Sequence, residues 1–456
     1  MSAVFERLVY RALPLSLVVG VLVLLRWSGV GVAAIGPQST TIGVGFMLIA
    51  AFAGGKVAAR IGLPRITGYL LVGLLVGPFV SGLLTRDMLI AAKAVEGIAV
   101  ALIALTAGGE IRIGWVRQQA KRLTLITLSE LVTVAGGVFA VVMLARPILP
   151  FVPTDNLLQA GVIAMVFGSI AVANSPTVTI AVIAENRAEG PVTRTVLGVT
   201  ILKDVCVIVL FAIALTVAKN ALGDGDGESL GLTLARELGG SVAVGIAYGI
   251  GISLFLRYVN RDTPVFILAV CFAIWQTASA FHLETLLVSL TAGFWVENFS
   301  RARGEDLIKG IERLSLPVYA LFFAAAGAKV DIVALATLWP FALLLSGSRA
   351  LCVWAGTALG GYLSQVEPMV QRYAWYGFVS QAGVTLALST IVARTFPGWG
   401  LEVQAIIIAM IAIHELLGPV GFQYALKRAG EIGAARTHAN GHAESPVAPP
   451  DRVAPS

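Results

Sequence analysis

The sequence predicts an all-α polytopic membrane protein of about 13–14 transmembrane helices, arranged as an inverted repeat around two crossed broken helices. Three observations predict it. The 456 residues are 57% hydrophobic and only 13% charged, with a mean hydropathy of +0.87. Soluble chains carry about 25% charged residues, so a water-facing surface of this size cannot be built here. Apolar runs of about 20 residues, the length that spans a bilayer, recur along the chain. Two of those runs are broken by polar residues near their middle. The 49 glycines agree with this reading, because small residues let membrane helices approach closely.

In order, the apolar runs fall at residues 9–27, 39–61, 64–84, 88–109, 122–146, 157–185, 191–219, 231–256, 264–280, 283–299, 314–328, 333–362, 371–394 and 401–427. Charge in the connections tests the count, because cytoplasmic loops carry an excess of Lys and Arg. With the N-terminus inside, the inner connections hold Arg7 and Arg11; Lys56, Arg60 and Arg65; Arg112, Arg117, Lys121 and Arg122; Arg187 and Arg194; Arg257 and Arg261. They continue with Arg301, Arg303, Lys309 and Arg313, then Arg372, then Lys427, Arg428, Arg436 and Arg452. The outer connections hold fewer basic residues and the acidic run Asp224-Gly-Asp226-Gly-Glu228. Both termini are therefore expected in the cytoplasm, with the chain integral to the inner membrane.

Residues 1–38 read as an extra N-terminal transmembrane helix, 39–429 as the membrane domain, and 430–456 as a disordered cytoplasmic tail. Two arginines before an apolar stretch also begin a signal peptide, but no small-x-small cleavage site follows directly. From about Gly430 the chain turns Ala/Pro/His-rich and loses hydrophobic periodicity. His438 and His442 are four apart in that flexible stretch, which makes a poor metal site. Cys206, Cys271 and Cys352 lie far apart in apolar runs and read as small buried hydrophobes. No Walker motif, dinucleotide fingerprint or metalloprotease helix is present. No cofactor and no nucleic-acid partner are expected, and no nucleophile–base constellation suggests an enzyme.

Ionisable residues in mid-membrane are costly and mark function by default. Lys203 and Asp204 lie mid-run, as does Arg349 further on, and Arg349 stays protonated. Pairing Arg349 with acids across the bundle is the economical expectation. The run before Lys203-Asp204 contains Asn174-Ser175-Pro176, where proline removes a backbone donor and clashes with the preceding turn. Unwound backbone at this depth is tolerated only against protein or a water-filled cavity. Ser380-Gln381-Ala-Gly383 sits at the matching place in the second half. Paired interruptions in two halves point to a transporter site. Aligning segments two to seven with nine to fourteen matches Lys203-Asp204 with His414-Glu415, and Glu130 with Arg349. Asn174, Ser175 and Gln381 either ligate an ion through oxygen or cap broken helix ends. Glu96 reads as a helix–helix contact, and His282 and Glu284 as an outer turn.

These residues resemble the monovalent cation:proton antiporter-2 family over roughly residues 40–427. The motifs are Leu63-Pro64-Arg-Ile-Thr-Gly68-Tyr69 with Gly73, Gly77 and Pro78; Thr106-Ala-Gly108-Gly109-Glu110; Asn174-Ser175-Pro176; Asp204; and Leu316-Pro317 with Phe322, Phe323 and Gly327. The resemblance implies a sodium/proton antiporter-like fold and a homodimer with a mobile core. It also implies that Asp204 binds cation (Na⁺ or K⁺) and proton in alternation, with Arg349 as the basic residue of a neighbouring core helix.

One departure stands out. The residue before the aspartate is usually Asp, Asn or Gln in that superfamily, and here it is Lys203. Asp204 with charged Lys203 and Arg349 would leave the site at about +1, which disfavours a cation. Lys203 must be neutral, face away, or pair with an acid such as Glu130 or Glu415; a titrating Lys203 could itself exchange a proton. Alternatives are the same fold carrying another solute, including an anion, and a non-transporting scaffold or sensor. Lys203→Asn separates them: cation transport persists or rises, anion transport falls, and a scaffold is indifferent.

Overall fold

The computed structural model describes residues 37–85, 88–89, 93–149, 152–222, 230–259, 263–300, 317–330 and 332–433. The expected first helix, the acidic run at 224–228 and the chain beyond 433 lie outside them. Among the described residues the structure is helical throughout, and each remaining apolar run falls on helix. The elements are α1 (Pro37–Arg60), α2 (Arg65–Val76), α3 (Lys93–Glu110), α4 (Ile113–Ala145), α5 (Leu157–Ala171), α6 (Pro176–Asn186), α7 (Pro191–Leu222) and α8 (Leu230–Tyr258). Then come α9 (Thr263–Phe281), α10 (Thr285–Phe299), α11 (Pro317–Ala328), α12 (Ile332–Leu363), α13 (Pro368–Tyr373), a 3-10 turn (Ala374–Phe378), α14 (Gly383–Thr395) and α15 (Gly400–Ala429).

Eight described helical spans are long and apolar enough to cross a membrane, nine when the bent pair 368–378 and 383–395 is taken as one. The expected count was higher because four further runs fold into helices that miss this test. α2, α10 and α11 are short, and α3 carries Lys93, Glu96 and Glu110.

Direct helix contacts fall into three sets, the last two of which share one continuous apolar core. α3, α8, α9 and α10 share one apolar core. α1, α2 and α11 form a second group, joined to the first by Val318 and by Lys329 Nζ on Glu96 Oε2 at 2.5 Å. Glu96 is thus a contact between helices, as its sequence position suggested. α4–α7 and α12–α15 form the largest group, in which α4 and α12 pack along their length. This large group touches the others where α2 meets α15 and α6, α3 meets α6, and α7 meets α8, and its apolar core runs on into buried side chains of α1, α2 and α11.

The close crossings need glycine. A Cβ on Gly108 of α3 would run into the Leu290 carbonyl of α10, and one on Gly293 into the Leu105 carbonyl. Gly73 and Gly327 serve α2 and α11 the same way. In a bilayer such backbone-to-backbone contact replaces the hydrophobic drive that water would supply.

The fold also runs past the expected start of the tail at residue 430. Gly430 closes α15 in the left-handed region (φ 73°), the usual glycine cap, and turns Glu431 inward. Glu431 is 4% exposed and accepts from Val192 N (2.7 Å), Thr193 N (2.8 Å) and Thr193 Oγ1 (2.6 Å). It therefore caps α7, whose first turn has no acidic residue of its own. Replacing Glu431 with alanine is expected to lower stability by about 1–2 kcal/mol, the usual range for a lost cap. Thermal unfolding of the detergent-solubilised protein measures it, and an unchanged midpoint would remove Glu431 from the fold's support.

Candidate functional site: the meeting of two helix breaks

Asn156 caps α5 by accepting from Gln159 N, and the helix runs to Ala171. The chain then leaves helical geometry until Ser175, whose hydroxyl accepts from Val178 N and starts α6, with Pro176 in its first turn. The second break spans residues 379–382, and its two halves are bent by 49°. The breaks touch: Ser175 N donates to Ser380 O at 2.8 Å, and Thr179 Oγ1 to Gly377 O at 2.8 Å. Gln381 Nε2 donates to Ala173 O at 3.2 Å, while Gln381 Oε1 bonds His414 Nδ1 of α15 at 2.9 Å.

Arg349 of α12 is fully buried and fills the space between the breaks. Its Nε donates to Ala171 O (2.7 Å), Nη1 to Val379 O (2.8 Å), and Nη2 to Ala173 O (2.8 Å) and Phe378 O (3.1 Å). Among the described residues no acid hydrogen-bonds Arg349, although Glu130 across the bundle is close enough to act on its charge. The hydrogen-bond partners of Arg349 are the orphan carbonyls where two helical segments end, each carrying roughly half a negative charge. A guanidinium fork suits this task, since it offers five donors in a fixed plane.

Lys203 is settled by a different helix. Its Nζ lies 2.5 Å from Glu130 Oε1 of α4, with both side chains 0% exposed, and 5.4 Å from the centre of the Phe378 ring. Glu415 does not share in this pairing. It is buried on α15, where Lys329 is the charged group close enough to act on it. Of the three residues expected to compensate charge, Glu130 meets Lys203, Arg349 meets helix-end carbonyls, and Glu415 lies within reach of Lys329.

Asp204 points elsewhere. Adjacent helical residues diverge by about 100°, so Lys203 and Asp204 need not share a face. Lys203 is enclosed, whereas Asp204 keeps partial exposure and has no hydrogen bond among the described residues. It lies about 20 Å along α7 from Pro191, in the middle of the span. Glu284, exposed at the start of α10, and Lys203 are the charged groups close enough to act on it.

Ser175 and Gln381 serve the breaks, as cap and as bridge. Asn174 differs: its Nδ2 donates to Thr200 Oγ1 at 3.2 Å, and its Oδ1 is buried without a partner. Sequence reasoning missed Thr200, though it stands one helical turn before Asp204 and therefore on the same face. It also missed the contact between Phe378 and Lys203, which no local pattern announces.

The structure is thus a polytopic helical membrane protein in which two interrupted helices meet around a buried arginine. The chain matches the family "Sodium/hydrogen exchanger, transmembrane" over residues 47–427 and belongs to that family. It is similar in fold to the sodium proton antiporter MjNhaP1 from Methanocaldococcus jannaschii. Against the structure of that protein at pH 8 the identity is 18% and the TM-score 0.60, covering 87% of this chain and 99% of that one. Against its electron-microscopy structure the values are 17% and 0.64, covering 91% and 100%. No curated protein matches the chain. The family and its structural neighbours are transporters, not enzymes.

Proposed function

We propose that this protein exchanges a monovalent cation, Na⁺ or K⁺, for a proton by alternating access, with Asp204 binding each in turn. The observation that carries this reading is the state of Asp204. It is left without a hydrogen bond and partly exposed at mid-span while the neighbouring cation, Lys203, is taken by Glu130. The charge objection raised by Lys203 falls away, because Glu130 cancels Lys203 and four helix-end carbonyls balance Arg349. Asp204 then supplies about one negative charge to an entering cation. The unpartnered Oδ1 of Asn174 is a further oxygen for a hard monovalent ion beside the break. One carboxylate carrying either one cation or one proton makes the exchange electroneutral.

The separate apolar core of α3, α8, α9 and α10 supports a rigid-body movement of the large group relative to those helices. In this reading α4–α7 and α12–α15 form the moving core. The remaining helices form the static part, through which a homodimer assembles in the inner membrane with both termini in the cytoplasm. The motif resemblance favours the antiporter-2 branch of the family.

The test is cation-driven dequenching of an internal pH dye in proteoliposomes, in NaCl, KCl and a bulky-cation chloride. Wild type is expected to respond to Na⁺ or K⁺, and Asp204→Asn to fall to the protein-free background. An imposed membrane potential should leave the rate unchanged. A silent wild type across about pH 6–9, with the protein well folded, would overturn antiport. A full response from Asp204→Asn would overturn the role of that residue.

A further inference from the structure

The helix that begins at Arg65 lacks an N-terminal cap of its own. Its N-cap position is Pro64, which offers no side-chain acceptor. A helix start leaves backbone N–H groups without intrahelical partners and carries partial positive charge. Here a carboxylate from another part of the molecule meets that need. Glu185, near the end of α6, accepts from Arg65 N at 2.5 Å and from Ile66 N at 3.3 Å. Arg65 is also close enough to act on its charge.

The place of this contact gives it meaning. α6 is the second half of the first broken helix and belongs to the large helix group. α2 belongs to the group of α1 and α11, and α2 and α6 otherwise touch lightly. Glu185 therefore ties α6 to α2, two helices that share an apolar core but touch each other directly at few points. Thr67, one residue beyond the capped amides, is 4% exposed, and its Oγ1 is buried without a partner. The contact lies at the end of the bundle that carries Arg187 and Arg194, whereas Glu284, which acts on Asp204, starts α10 at the turn after α9.

We propose that Glu185 and the start of α2 form a latch that holds α6 against α2 at the Arg65 end, and that this latch must open in every transport cycle. Glu185 is a positioning residue: it touches no transported ion, and sets how long α6 stays against α2 at this end. The proposal rests on the alternating-access reading above. If the large group moves relative to α2, two charge-assisted hydrogen bonds at this junction break and reform.

Two experiments on the full-length chain test it, in a background with Cys206, Cys271 and Cys352 replaced by alanine. In the first, Arg65→Cys and Glu185→Cys are joined in proteoliposomes by a short bis-methanethiosulfonate, which forms a disulfide with each thiol as sulfinate leaves and is cleaved by reduction. Cross-linked protein is expected to lose cation:proton exchange at least tenfold and to regain it on reduction. Full exchange by the cross-linked protein would overturn the latch while leaving antiport intact. The second needs no transport. Maleimide labelling of Thr67→Cys is expected to run about tenfold faster when Glu185 is alanine, the shift expected from losing a charged helix cap. Glu185→Gln, which keeps an acceptor but not the charge, is expected to fall between. Equal labelling rates with Glu185 and with alanine would overturn the latch. A wild type silent in transport but showing the labelling shift would place the failure in the antiport reading instead.

Discussion

Arg349→Ala is expected to prevent the core from folding into a stable state. The substitution strands the carbonyls of Ala171, Phe378 and Val379 and leaves Ala173 O to Gln381 Nε2 alone, in a fully buried place away from bulk water. Each buried polar group left unsatisfied costs about 1–3 kcal/mol. The total approaches the whole stability of an ordinary domain, about 5–15 kcal/mol. Arg349→Lys keeps the charge but replaces the planar fork with a compact ammonium, which cannot reach both breaks at once. It is expected to recover about half of the loss. Fluorescence-detected size exclusion after a temperature series reads both variants. A monodisperse Arg349→Ala peak with a wild-type melting point would show that the carbonyls find other partners, and would remove Arg349 as the strut between the breaks.

The second large effect concerns the buried pair beside Asp204. Glu130→Gln leaves the Lys203 ammonium enclosed without a counter-charge, which costs about 3–5 kcal/mol when one partner of such a pair is removed. The reverse change, Lys203→Asn, strands the Glu130 carboxylate and carries a similar cost. The single substitution that sequence reasoning chose to separate cation, anion and scaffold readings therefore tests folding before it tests transport. Changing both partners resolves this. Glu130→Leu with Lys203→Met removes two buried charges together and is expected to restore stability to within about 1 kcal/mol of wild type, or above it. Under the proposed mechanism that double variant keeps exchange, because Asp204 still carries the ion. Melting points of the two singles and the double form the cycle. A coupling energy near zero would mean that the 2.5 Å contact contributes no net interaction. A stable double variant without transport would give Lys203 a part in the proton cycle.

Much of the fold was legible along the chain because its causes are local. Bilayer thickness sets the length of an apolar run, and the runs at 122–146, 191–219 and 401–427 reappear as α4, α7 and α15. Pro176 and the polar stretch around Gln381 disrupt helix wherever they stand, so both breaks could be placed before any contact was known. A carboxylate in mid-run is conspicuous in the same way, which is why Asp204, Lys203, Arg349 and Glu130 could all be singled out.

Their partners could not be read off the chain. Whether Lys203 meets Glu130 or Glu415 depends on how far α4, α7 and α15 are rotated about their axes, and packing decides that rotation. Arg349 was expected to seek acids because a sequence displays side-chain charges but hides the carbonyls that a broken helix exposes. Nothing local in the sequence links Glu185 to the start of α2, whose amides it meets across more than a hundred residues. Composition and run length by themselves determined a polytopic membrane protein with two interrupted spans and a charged centre. The tertiary structure alone decided which charges cancel and which one is left free, because hydrogen bonds act over about 3 Å between helices that are distant in the chain.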